Sequence, residues 1–136
     1  MLTADYYING ILQKDRIILS KAITLIESTK KEDELLANEI LQACLKLKKQ
    51  SKRIAVTGSP GAGKSTFINA FGKLLLDDDK SLAVLAIDPS STMSKGSILG
   101  DKTRMEDLVS NENVFIRPTA TGGNLGGIAR KTRETI

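Results

Sequence analysis

Gly58, Ser59, Pro60, Gly61, Ala62, Gly63, Lys64 and Ser65 fill every required position of the pattern G-x-x-x-x-G-K-[ST], a spacing that holds phosphate. A triphosphate carries several negative charges. A loop whose successive backbone N–H groups point inward, at the positive end of a helix dipole, is a cradle for such a group. Gly58, Gly61 and Gly63 let the backbone come close, and Pro60 stiffens the loop. Lys64 is expected to reach the β- and γ-phosphates as a point charge and is the one catalytic candidate, acting as an electrostatic stabiliser. The Ser65 hydroxyl is the expected Mg2+ ligand, and Thr66 is placed to donate to the α-phosphate. The competing reading, a glycine-rich strand-to-helix turn that binds nothing, is disfavoured by the completeness of the pattern and by its flanks.

Those flanks are the elements the chemistry needs. Arg53-Ile54-Ala55-Val56-Thr57 is a short apolar run suited to a buried strand, and residues 66–75 have helical periodicity. Further on, 82–87 reads as a second buried strand and Val114-Phe115-Ile116 as a third, an alternation that signals a parallel sheet covered by helices. Between them, residues 88–101 are polar and broken by glycine, and they begin at the carboxyl end of a strand, where open α/β sheets hold their ligands. Asp88 and Asp101 are therefore candidates for the magnesium shell, directly or through water. Each also has a plainer reading, Asp88 as a turn cap before Pro89 and Asp101 as the N-cap of a short helix over 102–109. Lys102, Arg104 and Arg117 are candidate phosphate neighbours, with ordinary surface placement as the alternative.

Residues 1–50 differ in kind. They contain no proline and no glycine except Gly10, and apolar residues recur at helical spacing from Ile8 to Ile26 and again from Leu36 to Leu47. The spacing predicts an α-helical hairpin, broken at the polar segment 28–34 and docked in part by Tyr6 and Tyr7. Cys44 lies on the apolar stripe, as a small core residue would. Two parts follow: 1–50, helical, and 51–136, the phosphate-binding half.

Composition bounds what the chain can be. The 136 residues are 40% hydrophobic and 26% charged, ordinary for a globular protein. Histidine is absent and Cys44 is the single cysteine, so no imidazole base and no internal disulfide is available. No apolar run approaches the roughly 20 residues of a membrane span, and no secretory signal pattern opens the chain, so a cytoplasmic location is expected. The net charge of +4 concentrates at Lys46, Lys48, Lys49, Lys52 and Arg53. With no aromatic residues interleaved, these suit a solvated helix end better than a nucleic-acid surface.

Asp88-Pro89-Ser90-Ser91, the run from Gly96 to Met105 (GSILGDKTRM), Phe115-Ile116-Arg117-Pro118 and Gly122-Gly123-Asn124-Leu125-Gly126-Gly127 resemble the MeaB/ArgK family. These are P-loop GTPases that act as chaperones of methylmalonyl-CoA mutase and related cobalamin enzymes, formerly described as LAO/AO transport-system ATPases. The resemblance runs from the helical segment to the last residue. It implies a SIMIBI-type G domain, of the broad class of the signal recognition particle GTPases, preceded by helices and followed by a dimerisation arm. It also implies slow GTP hydrolysis that gates cobalamin loading and protects the mutase, Mg2+ held near Ser65, Asp88 and Asp101, and a homodimer in the full-length form. The acidic segment resembling E-T-V-G-V-G-Q and the guanine-reading N-K-x-D segment of that family are not found. An N-terminal part with an incomplete sheet is therefore expected, and guanine preference rests on the resemblance alone. An ATP-using kinase or transport-associated ATPase, and a fragment whose helices are a binding module, stay open.

Overall fold

A computed structural model describes residues 2–47, 50–88, 105–120 and 131–136. The chain divides into two compact units, Met1–Lys52 with Arg130–Ile136, and Arg53–Ala129.

The first unit is built from α1 (Ala4–Leu12), α2 (Arg16–Glu27) and α3 (Lys31–Lys46), so the expected hairpin is instead three helices. The long periodic stretch breaks at Gln13-Lys14-Asp15 for a local reason. Lys14 turns left-handed at φ 60°, and Asp15 then caps α2, its Oδ1 accepting from the N–H groups of Ile17 at 2.8 Å and Ile18 at 3.0 Å. Apolar periodicity continues across the break because both helices bury one face in the same core, which hides the turn from a pattern search. Gly10 makes the sharp reversal feasible, since a Cβ there would collide with Ile18. Tyr7, Ala22 and Ile40 form the centre of the core, and Cys44 packs against it. Burial pushes the Cys44 thiol above its ordinary range, as befits a packing residue. Tyr6 meets Tyr7 edge to face at 5.4 Å. A last short helix, α6 (Thr132–Thr135), packs on α2, and Lys131 Nζ donates to the Ser28 carbonyl at 3.1 Å.

The second unit holds α4 (Lys64–Asp77), β1 (Leu82–Asp88), α5 (Glu106–Val109) and β2 (Val114–Ala120). β1 and β2 pair in parallel, from Leu82 opposite Val114 to Asp88 opposite Ala120. Leu82 and Val84, with Val114 and Ile116, present one face to Met105 and Leu108 and to Ile68 and Leu76 of α4. Gly72 allows this closeness: a Cβ on it would fall 2.8 Å from Leu108 Cδ1 and 3.0 Å from Leu82 Cδ2. β2 runs further than the three residues its apolar core suggests, through Pro118 to Ala120.

Arg53–Thr57 is not a strand. It forms no ladder with β1 or β2 among the described residues, and Ile54 is 64% exposed. β-branched residues favour extended backbone, but a strand is stabilised by its cross-strand neighbours, which this segment lacks here. The short helix anticipated over 102–109 begins at Glu106; residues 101–104 lie outside the described residues.

A candidate phosphate-binding loop

The loop is shaped by backbone conformation. Gly61 and Gly63 adopt φ values of 80° and 85°, which side-chain-bearing residues rarely take. A Cβ at either would meet no atom of the described residues within 4 Å, so conformation and not crowding demands glycine. Gly63 is then the N-cap of α4. Having no side chain, it caps nothing, and the first turn of α4 carries no acidic residue. The first helical hydrogen bond runs from Phe67 N–H to the Gly63 carbonyl at 2.9 Å. Helix geometry therefore leaves the N–H groups of Lys64, Ser65 and Thr66 without intrahelical acceptors, at the positive end of the dipole.

Lys64 stands at the centre of this arrangement. Its Nζ donates to the carbonyls of Gly58 and Ser59, each at 2.9 Å, so the ammonium folds over the loop it belongs to. Lys64 and Ser65 are half-buried and Thr66 is exposed. Three positive or donor groups thus gather on one helix start: an ammonium, uncapped backbone N–H groups, and two hydroxyls. An anion with several oxygens fits this set. Of this set only the hydroxyl oxygens could serve magnesium, which usually takes one or two protein oxygens and leaves its remaining positions to phosphate and water. Ser65 offers one such oxygen, and among the described residues no three acidic or cysteine side chains gather as a metal cluster.

The structure brings together Gly58 through Thr66, and of the other expected residues it describes only Arg117 and the backbone of Asp88. Asp88 ends β1, but its side chain lies outside the described residues, as do Asp101, Lys102 and Arg104 altogether. Arg117 is half-buried on β2, paired in register with Leu85. One group escaped sequence reasoning. Asp107 on α5 accepts from Asn69 Nδ2 at 3.1 Å and pairs with Lys73 Nζ at 2.6 Å. Lys73 donating to it, aided by Asn69, holds the Asp107 carboxyl below its ordinary range. Only the four-residue spacing of Ser65, Asn69 and Lys73 on α4 hinted at a polar face there.

A glycine loop feeding an uncapped helix, with a lysine folded across it and a small parallel sheet alongside, defines an α/β protein of the P-loop nucleotide-binding class. Residues 19–136 match the family described as methylmalonyl Co-A mutase-associated GTPase MeaB, and the chain belongs to that family. It is 46% identical over 129 residues to GTPase ArgK of Escherichia coli, covering 95% of this chain and 39% of that protein. Over 142 residues it is 45% identical to the mouse (Mus musculus) methylmalonic aciduria type A homolog, mitochondrial, covering 97% of this chain and 34% of that protein. A crystal structure of LAO/AO transport system kinase superposes with a TM-score of 0.73 at 34% identity, covering 97% of this chain and 37% of that one. The chain thus spans well under half the length of these relatives.

Proposed function

We propose that this chain holds the phosphates of Mg2+-GTP, and that its protein hydrolyses GTP slowly while acting as a chaperone that gates cobalamin loading and protection of methylmalonyl-CoA mutase or a related mutase. The observation that carries the proposal is the start of α4, which has neither side-chain cap nor acid of its own and faces an ammonium and a glycine loop. Membership of a GTPase family supports guanine, and the mouse relative's name supports the mutase connection.

In this reading Lys64 exchanges the carbonyls of Gly58 and Ser59 for β- and γ-phosphate oxygens. The backbone from Gly58 to Ser65 wraps the phosphates, and Thr66 donates to the α-phosphate. When bound, magnesium supplies further charge neutralisation, held by Ser65 and, directly or through water, by Asp88 and Asp101. The work of these residues is positioning and electrostatic stabilisation of the transferring phosphoryl group. Residues 51–136 are then the first half of a G domain and 1–50 a helical segment before it. The full-length protein is proposed to be a cytoplasmic homodimer without nucleic-acid or membrane partners.

Titration of the full-length protein with GTP and ATP, with and without mutase, tests this. Tighter GTP binding and a nucleotide-dependent mutase complex are expected; equal affinity for ATP, or no mutase complex, counts against it. The name of the solved relative favours a second reading, an ATP-using transport-system kinase, for which the same titration predicts ATP preference and phosphate transfer to an acceptor.

A further inference from the structure

Ser65, Asn69 and Lys73 follow at intervals of four on α4, and so share one face of the helix, a turn apart. α5 engages that face through a single carboxylate oxygen. Asp107 Oδ2 accepts from Asn69 Nδ2 at 3.1 Å and meets Lys73 Nζ at 2.6 Å, gripping two consecutive turns of the helix whose preceding turn carries the Ser65 hydroxyl.

A lone exposed ion pair would mean little. Two observations distinguish this one. The neighbouring residue Leu108 is fully buried and packs so closely on α4 that Gly72 has no room for a Cβ, so α5 is seated on the helix by apolar contact as well as by charge. In addition, the Asn69 amide is committed. With Nδ2 facing Asp107, its Oδ1 is buried and has no hydrogen-bond partner among the described residues, an arrangement that costs free energy and persists where the amide is held by something else. That something is Asp107.

We propose that Asp107 is a positioning residue for the magnesium side of the phosphate loop. By holding Asn69 and Lys73 it fixes the rotation of α4 about its axis, and with it the direction of the Ser65 hydroxyl, while Asn69 Oδ1 stays as a buried acceptor one turn behind. This rests on the reading of Ser65 as the magnesium ligand.

Calorimetric titration of the full-length protein with GDP, in magnesium and in EDTA, tests the proposal. Asp107→Ala and Asn69→Ala are expected to lower the magnesium enhancement of affinity by about tenfold, the size seen when partners behind metal ligands are removed, with a clearly smaller loss in EDTA. Asp107→Asn, which keeps an acceptor for Asn69 without the charge for Lys73, is expected to fall between. Equal losses in both conditions would mean a merely structural role and overturn the proposal, as would an undiminished enhancement. Absence of nucleotide uptake by the wild-type protein would instead overturn the reading of the loop, and this proposal with it. Amide exchange without ligand gives an independent readout. Asp107→Ala is expected to speed exchange in the first two turns of α4 but not in β1 or β2, and unaltered exchange in α4 would also overturn the proposal.

Discussion

The helix starts of the first unit and the start of α4 are opposites. Thr3 caps α1, which has Asp5 in its first turn; Asp15 caps α2; α3 opens with Glu32, Asp33 and Glu34. Each of these helices brings its own oxygen or negative charge to its positive end. Helix α4 brings neither, and a lysine stands at its first position. The difference shows where a chain stabilises itself and where it leaves a place for something else. The starts of α1, α2 and α3 follow the local rule for a helix dipole, whereas the start of α4 breaks it at the point where a bound anion would supply what is missing.

Filling the gap is the strongest way to break this contrast. Thr66→Glu gives α4 an acid in its first turn and is expected to abolish nucleotide binding by calorimetry, while leaving the folded protein no less stable, since acids favour helix starts. Lys64→Ala removes the ammonium without adding charge and is expected to weaken nucleotide binding by about 10- to 100-fold, the worth of a charge-assisted hydrogen bond or two. Retained affinity in both variants would show that the loop is only a turn.

The other side of the contrast is tested by stability. Gly10→Ala forces a methyl into Ile18 and is expected to cost about 1–3 kcal/mol in urea unfolding. Asp15→Ala removes the cap of α2 and is expected to cost about 1 kcal/mol, with nucleotide affinity unchanged. A loss of affinity in Asp15→Ala would mean that the two kinds of helix start are coupled after all.

The smallest effect concerns pH. Asp107 has a folded-state pKa held below its unfolded value by Lys73 and Asn69, so its contribution is present above the ordinary aspartate range and lost as pH falls through the depressed value. Acid unfolding of Asp107→Asn should therefore lose a small part of its steepness just below that range, read from circular dichroism. Identical acid transitions would show that the pair contributes nothing to folding.

The conformation of the glycine loop was legible from residue types, because its requirements are local: glycine where φ is positive, lysine and serine where the helix begins. Helical character over the first 46 residues was legible too. The turn at Lys14 was not, although Asp15 is a capping residue, since apolar spacing persists across it. Arg53–Thr57 failed for the reverse reason: its composition suits a strand, but a ladder is a property of two segments and composition describes one.

By itself, then, the sequence determined the loop, the family likeness and the amphipathic faces, all set by neighbours within a turn or two of chain. Tertiary structure alone decided which segments pair as β1 and β2, how Gly10 and Gly72 admit their neighbours, and that Asp107 grips α4 across 38 residues of sequence. Contacts between distant segments depend on how the whole chain closes, and no local pattern encodes which partner will arrive.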